Sequence, residues 1–315
     1  MVKLRPIIFV LSWPLALVAV SSVCYWDPRA LAVLLCVAAV TAVRVVFRAQ
    51  GGIDVLRTQV TGDPKGETLF FIHGWPDNAG MWDAQVQHLS EKGYRCVTLT
   101  LPHFSGRGDP DGSAVPWGYT FEELAQMCGR TLKQSLQAAG QESATLVIHD
   151  WGCYVGFYVQ RLHPELVGRI VAMDVGSPPM RGQSASFAPV LMLAGCAYQY
   201  WLATAFVVGN AVPFVGPLLG DAMTRYAIAA IGDKHHRSTA AQAGFSASMN
   251  YLYFWFHVNY WLEILGARQP FHERFPHTAA MHDESRPPTL FFYGNDKGFK
   301  FHGERWVSLH SHPSP

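Results

Sequence analysis

From about residue 52 the chain alternates short, uncharged apolar runs with helix-length amphipathic stretches. The runs "TLFFIHG" (68–74), "RCVTLTL" (95–101), "ATLVIHD" (144–150), "RIVAMDV" (169–175) and "TLFFYGND" (289–296) are rich in β-formers and read as buried parallel strands. Between them lie "MWDAQVQHLSEKG" and "TFEELAQMCGRTLKQSLQAAG", each reaching a glycine suited to a helix C-cap. The alternation predicts an α/β fold in one domain over 52–315, a mostly parallel sheet with helices on both faces. It breaks over about 178–285, which are apolar and aromatic and carry no obvious strand. A helical insertion between two core strands, placed over the carboxyl edge of the sheet, would act as a lid.

Residues 1–50 follow a different pattern, with two apolar runs separated by "DPR". About 20 residues at about 1.5 Å each cross a bilayer core of about 30 Å, so helices over about 6–26 and 30–47 are expected as a transmembrane hairpin. Lys3 and Arg5 precede the pair and Arg44, Arg48 and Arg57 follow it, which puts both ends, and the domain that follows, on the cytosolic side. A single anchor and a cleaved signal peptide are the competing readings, although the first run is longer than a signal core and lacks a small-residue cleavage site. The uncharged stretch 189–208 also has spanning length, but Pro189, Gly195 and Gln199 and its place between two strands favour an apolar lid resting on a membrane.

Composition narrows the partners. The 315 residues carry 24 basic and 23 acidic side chains, a net charge of +1, which leaves no electrostatic footprint for nucleic acid. Half of the chain is hydrophobic, enough for a full core and too much for a disordered protein. Cys24, Cys36, Cys96, Cys128, Cys153 and Cys196 show no metal-ligand spacing, and neither a metal nor a cofactor is called for. Oligomeric state is not legible in the sequence.

Two segments carry the chemistry. Asp150 ends the run "ATLVIHD" and opens a helical stretch through "WG", the strand, turn and helix order of a nucleophile elbow; a helix N-cap is the bland alternative. On its own this motif leaves both readings open. "IHGWPD" (72–77) ends another strand, and "HGWPD" followed by "HDWG" resembles the α/β-hydrolase family, in particular its epoxide hydrolase and haloalkane dehalogenase branch. The resemblance extends over about 52–308, through "PWGYTFEELA" (116–125), the helical insertion and "LFFYGNDKGF".

That resemblance implies that Asp150 attacks a saturated carbon and forms an ester on the enzyme, displacement chemistry that suits a carboxylate where serine suits acyl transfer. The backbone N–H groups of Trp75 and Trp151 would form the oxyanion hole, with His73, Gly74, Pro76, His149 and Gly152 completing the two motifs. Trp75 replaces the asparagine of many dehalogenases, which tilts the choice towards epoxides. Asp296 matches the acid that orients a histidine, with Asp174 in reserve. The acid for the departing oxygen would be a lid tyrosine, Tyr251 before Tyr253, with Tyr198, Tyr200 and Tyr226 as further candidates.

Two departures stand out. In the family the histidine follows the acid by roughly 25 to 30 residues, and here 19 residues follow Asp296, with His302, His310 and His312 among them. The expectation is a chain shortened at its C-terminus, in which release of the ester slows by about 10²- to 10⁴-fold. Ile148 also stands two residues before the nucleophile, where a small side chain is usual, and predicts a looser turn. The leading reading is a membrane-anchored epoxide hydrolase-like enzyme for a lipophilic small molecule. A haloalkane dehalogenase, a lipid ester hydrolase, or a catalytically dead fold serving as a membrane interaction module are the alternatives.

Overall fold

The computed structural model describes residues 28–46, 54–106, 115–176, 189–231, 244–269, 287–294, 302 and 306–307. The first described element is helix α1 (Pro28–Val46). Of the expected hairpin, 6–26 lies outside the described residues and 30–47 corresponds to α1. Arg29 and Arg44 leave 14 uncharged residues between them, about 21 Å of helix against a hydrocarbon core of about 30 Å. Among the described residues no helix is long and apolar enough to cross a membrane, which corrects the spanning reading of this segment. What α1 does present is an apolar surface, with Leu31, Val33, Leu35, Val40 and Val43 exposed.

The described residues form one six-stranded sheet in the order β1-β3-β2-β4-β5-β6. The strands are β1 (Thr58–Gly62), β2 (Thr68–Ile72), β3 (Arg95–Leu99), β4 (Ala144–His149), β5 (Val167–Met173) and β6 (Thr289–Phe292). All neighbours are parallel except β1, which runs antiparallel to β3. Five of the six strands follow from the apolar runs. β1, "TQVTG", escapes that reading because it is an edge strand with one intermediate and four exposed residues and therefore carries no apolar signal.

Burial on both faces explains why β2 is apolar without interruption. Phe70 and Ile72 point into the larger core with Val97, Leu146 and Ile148, while Leu69 and Phe71 pack on the other face with Trp82, Cys96 and Val147. Helix α2 (Asp83–Glu91) follows a 3-10 turn over Ala79–Trp82, in which the Asn78 side chain accepts from Gly80 N at 3.0 Å. Helix α3 (Phe121–Ala139) starts on a reciprocal cap between Thr120 and Glu123 and stops at Gly140, whose φ of 67° is the left-handed conformation that glycine takes without strain. Helix α4 (Trp151–Leu162) begins directly after Asp150, the single residue between it and β4.

The described part of the stretch between β5 and β6 is helical: α5 (Pro189–Ala211), α6 (Gly216–Ile231) and α7 (Tyr251–Ile264). It is seated by aromatic contacts. Trp117 packs edge-on against Phe206 and Phe254, and its carbonyl accepts from Trp255 Nε1 at 2.9 Å. Helices α5 and α7 thereby lie over the carboxyl ends of β2 and β4, where parallel sheets expose their reactive loops.

Candidate active site

Asp150 occupies the junction of β4 and α4 with φ 51° and ψ −123°, a conformation disfavoured for any residue with a Cβ and costing about 1–3 kcal/mol. Its side chain does not make the helix-capping hydrogen bond that favours aspartate at an N-cap. The carboxylate points instead to the loop after β2, where Oδ2 accepts from the Trp75 backbone N–H at 2.9 Å. The Trp151 backbone N–H donates to the same carboxylate. The two peptide groups expected to form the oxyanion hole thus converge on Asp150.

Glycines make that approach possible. A Cβ on Gly74 would lie 2.5 Å from the Asp150 Cβ and 2.6 Å from its Oδ2, and one on Gly152 would lie 2.4 Å from the Ile72 carbonyl oxygen. Ile148 does not loosen the turn, contrary to expectation. The space for it comes from Gly156 on α4, where a Cβ would sit 2.7 Å from Ile148 Cγ2. The small residue needed for close strand-to-helix packing stands on the helix instead of the strand.

His73 is a structural part of the loop. It is fully buried, its Nδ1–H donates to the Gly74 carbonyl at 2.9 Å, and its Nε2 accepts from Leu101 N at 2.9 Å, which settles the neutral tautomer. Burial pushes its pKa down to about 4, so the ring stays neutral near pH 7. His149 turns away from the lid and meets Trp82 edge-on at 6.4 Å. Pro76 follows Trp75 through a cis peptide bond. Burial is also the main influence on Asp150, raising its pKa above the usual carboxylate value; His149 and the two N–H donors act in the opposite direction, and nearby Asp174 reinforces the rise.

The lid tyrosines divide by helix face. Tyr251 is fully buried against His103, Phe104 and Tyr119, tight against Gly118, where a Cβ would meet the Tyr251 Cβ at 2.4 Å. Tyr253, two residues on and so on the opposite face of α7, packs against Trp75, Trp151 and Tyr198 at centroid distances of 5.4, 5.0 and 5.8 Å. Its hydroxyl hydrogen-bonds with Tyr198, and the Trp151 indole N–H donates to it. Burial raises both phenols above the ordinary tyrosine value, and the charge of Asp150 adds to the rise in each. The structure therefore places Tyr253 and Tyr198 beside Asp150 and Tyr251 in the core. Tyr200 stacks on His257 at 3.9 Å and Tyr226 lies against Trp201.

Asn250 is a residue that the sequence pattern did not single out. It is fully buried at the start of α7, accepts from Trp75 Nε1 at 2.9 Å and donates to Thr224 Oγ1 of α6 at 2.7 Å. This chain ties the loop that holds Asp150 to the lid. An Asn250→Ala variant is expected to remain folded but to lose about 1–3 kcal/mol of stability and roughly tenfold in turnover as Trp75 drifts; thermal melts with steady-state kinetics check both. A lone asparagine between "SM" and an aromatic run offers no sequence signal for this role.

Asp174 follows β5 with φ 76°, and its N–H donates to the Phe292 carbonyl at 2.8 Å. The Asp174 carbonyl lies 3.3 Å from His302 Nδ1, and the His302 ring packs on Tyr293 and Phe291. Asp296, His310 and His312 lie outside the described residues. Among the described residues no group of histidine, cysteine, aspartate or glutamate side chains is arranged to hold a metal ion.

A family model for the alpha/beta hydrolase fold matches residues 67–303. Among curated proteins, epoxide hydrolase 3 of Siraitia grosvenorii is 31% identical over 110 residues, 35% of this chain and 33% of that protein. Epoxide hydrolase A of Mycobacterium tuberculosis is 28% identical over 125 residues, 39% and 36% of the two chains. The aligned part thus spans about a third of the length of these relatives. Among solved structures, DBJA superposes with a TM-score of 0.55 at 19% identity over 83% of this chain and 84% of its own, and the epoxide hydrolase CorEH with 0.51 at 16% over 79% and 82%.

Proposed function

The chain belongs to the α/β-hydrolase fold family, and on that premise we propose that it opens a lipophilic epoxide through an ester on Asp150. The observation that carries the reading is the Asp150 carboxylate, held by two peptide N–H groups directly beneath a pair of hydrogen-bonded tyrosines. One carboxylate oxygen attacks an epoxide carbon, the carbon–oxygen bond breaks, and the leaving oxygen takes the hydroxyl proton of Tyr253, with Tyr198 as its neighbour in the pair. The elevated phenol pKa keeps that proton in place at neutral pH, and an alkoxide is basic enough to remove it. Water then attacks the ester carbonyl, whose developing negative charge falls to Trp75 N–H and Trp151 N–H; the ester C–O bond breaks, and of the two protons of the water one returns to the Tyr253 phenolate and the other goes to the departing alkoxide. Diol and free carboxylate are the products.

The indole groups favour an epoxide over an alkyl halide. A departing halide needs N–H donors at its exit, whereas the Trp75 indole N–H is committed to Asn250 and that of Trp151 to Tyr253. The paired tyrosine hydroxyls suit an oxygen that has to be protonated. The epoxide hydrolase relatives point the same way.

At the N-terminus, the exposed leucines and valines of α1 support attachment to a membrane surface, with α1 lying in the interface. Such attachment would bring the site to substrates that partition into lipid.

Intact-mass analysis after incubation with a lipophilic epoxide tests the chemistry. An adduct of substrate mass that localises to Asp150 is expected, with diol release giving the turnover. Unchanged mass and no diol would sink the proposal. Tyr253→Phe is expected to slow adduct formation by about 10²-fold, whereas Tyr251→Phe is expected to leave it within about threefold; rapid-quench mass analysis of the two variants distinguishes the tyrosines.

A further inference from the structure

The connection between α5 and α6 reads "AVPFVGPLLG", and its burial is inverted relative to a water-facing helical hairpin. Gly216 and Gly220 are the buried residues, while Phe214, Val215, Leu218 and Leu219 are exposed, Phe214 at 96%. The glycines are where the helices touch. A Cβ on Gly216 would lie 2.4 Å from the Val208 carbonyl oxygen, and one on Gly220 would lie 2.6 Å from the Ala205 carbonyl oxygen and 3.0 Å from Gly209 Cα. Small residues inside and large apolar residues outside is the pattern of helices whose surroundings are lipid. In water it leaves four large side chains without cover.

Charge follows the same boundary. No Lys, Arg, Asp or Glu stands between Arg181 and Asp221. Asp221 is buried and accepts from Ala247 N at 2.7 Å, so it adds no charge to the surface. The next charged side chain on α6 is Arg225, exposed beside the half-exposed Tyr226. It lies about 10 Å along the axis from Leu218, close to the depth at which headgroups meet a shallowly inserted apolar face of about 5–10 Å. A second protein molecule is a poor occupant, because four side chains fall far short of the roughly 20–30 residues a side of a stable protein interface.

We propose that the tip of this hairpin, residues 213–219, is a wedge that inserts into the outer layer of a phospholipid bilayer, with Tyr226 and Arg225 at the level of the headgroups. Rigid apposition through the glycines keeps the wedge outward while Thr224, on the same helix, holds Asn250. The proposal does not depend on the chemistry at Asp150, and it concerns a surface separate from α1.

The test places p-benzoylphenylalanine at Phe214 in the full-length chain, or at exposed Gln87 on α2 as a control, and irradiates each in phosphatidylcholine vesicles. A phospholipid-mass adduct at position 214, at least tenfold above that at position 87, is expected. Crosslinking between two protein copies at 214, or equal lipid yields at the two positions, would overturn the wedge. Flotation of the same samples separates the two membrane contacts. A chain that floats without the 214 adduct rejects the wedge and leaves the α1 attachment standing, and a chain that does not float rejects both. Phe214 makes no core contact, so a Phe214→Ser, Leu218→Ser double variant should fold, retain its far-ultraviolet spectrum and lose tip contact; quenching of lid tryptophans by brominated lipid is expected to fall at least twofold.

Discussion

Replacing Asp150 with asparagine is expected to abolish the covalent adduct and to lower epoxide turnover by about 10⁴-fold or more, while making the protein more stable. The loss follows from the chemistry, because a neutral amide is a poor nucleophile at carbon. The gain follows from burial. The Asp150 carboxyl has a pKa raised above its ordinary 3.8, chiefly by desolvation. A raised carboxylate pKa means that the folded state binds more protons than the unfolded chain between the two values, so stability falls as pH rises through that window and the deficit persists at pH 7. Asparagine keeps the acceptor oxygen for Trp75 N–H and removes the charge. A rise in melting temperature of roughly 2–4 °C per kcal/mol relieved is expected, and it should vanish in acid where wild-type Asp150 is protonated. An Asp150→Asn protein that melts at the wild-type temperature across the pH range would contradict the burial argument; one that still forms the adduct would contradict the nucleophile.

On the proposed mechanism, Asp150 and Tyr253 set the pH dependence of ester formation. The rate should climb as pH rises through the elevated Asp150 pKa, because only the carboxylate attacks. It should then stay level up to the ordinary tyrosine range near pH 10, since Tyr253 holds its proton beyond that range. Single-turnover rates across the pH range read out both limbs. A fall on the alkaline side well below pH 10 would mean that the acid is a group other than the buried tyrosine pair.

The elbow and the loop after β2 were legible because both are local, with an apolar strand, a motif of four or five residues and a glycine fixing the geometry within one turn of chain. The two motifs and the family they resemble therefore pick out Asp150, Trp75 and Trp151, whereas the elbow alone leaves Asp150 open between nucleophile and helix cap. The lid was legible only as a class. Tyr251 and Tyr253 lie in one aromatic run, and which of them faces Asp150 depends on the phase of α7. That phase is set by partners far away in sequence, Gly118 beneath Tyr251 and Asn250 bonded to Trp75 and Thr224. Ile148 teaches the converse lesson. The constraint at the elbow is on the summed size of two facing residues, so a large residue on the strand is compatible with a tight turn once Gly156 faces it. The expected hairpin is not shown as a membrane span: no described helix is long and apolar enough to cross a membrane, and its first run lies outside the described residues.

Gly152→Ala should be the most damaging methyl that can be added to this site. The new Cβ would fall 2.4 Å from the Ile72 carbonyl oxygen and 2.5 Å from that of His73. Both obstacles are backbone, so neither can swing aside as a side-chain tip would. To make room, α4 has to retreat from β2, taking Trp151 N–H and the strained Asp150 backbone with it. Overpacking of this kind costs about 3 kcal/mol, and a shift near 1 Å in a reacting group costs about 10²-fold in rate, so stability and turnover should fall together. Gly140→Ala separates this effect from left-handed strain. Its φ of 67° penalises any side chain, but no atom lies within 4 Å of the added Cβ. That variant should lose about 1 kcal/mol and keep wild-type turnover. Paired melts and single-turnover kinetics of the two variants decide the matter. Equal damage in both would mean that glycine serves only backbone freedom at position 152. Damage confined to Gly152→Ala would mean that the distance between α4 and β2 is what holds the Asp150 carboxylate beneath its two N–H donors.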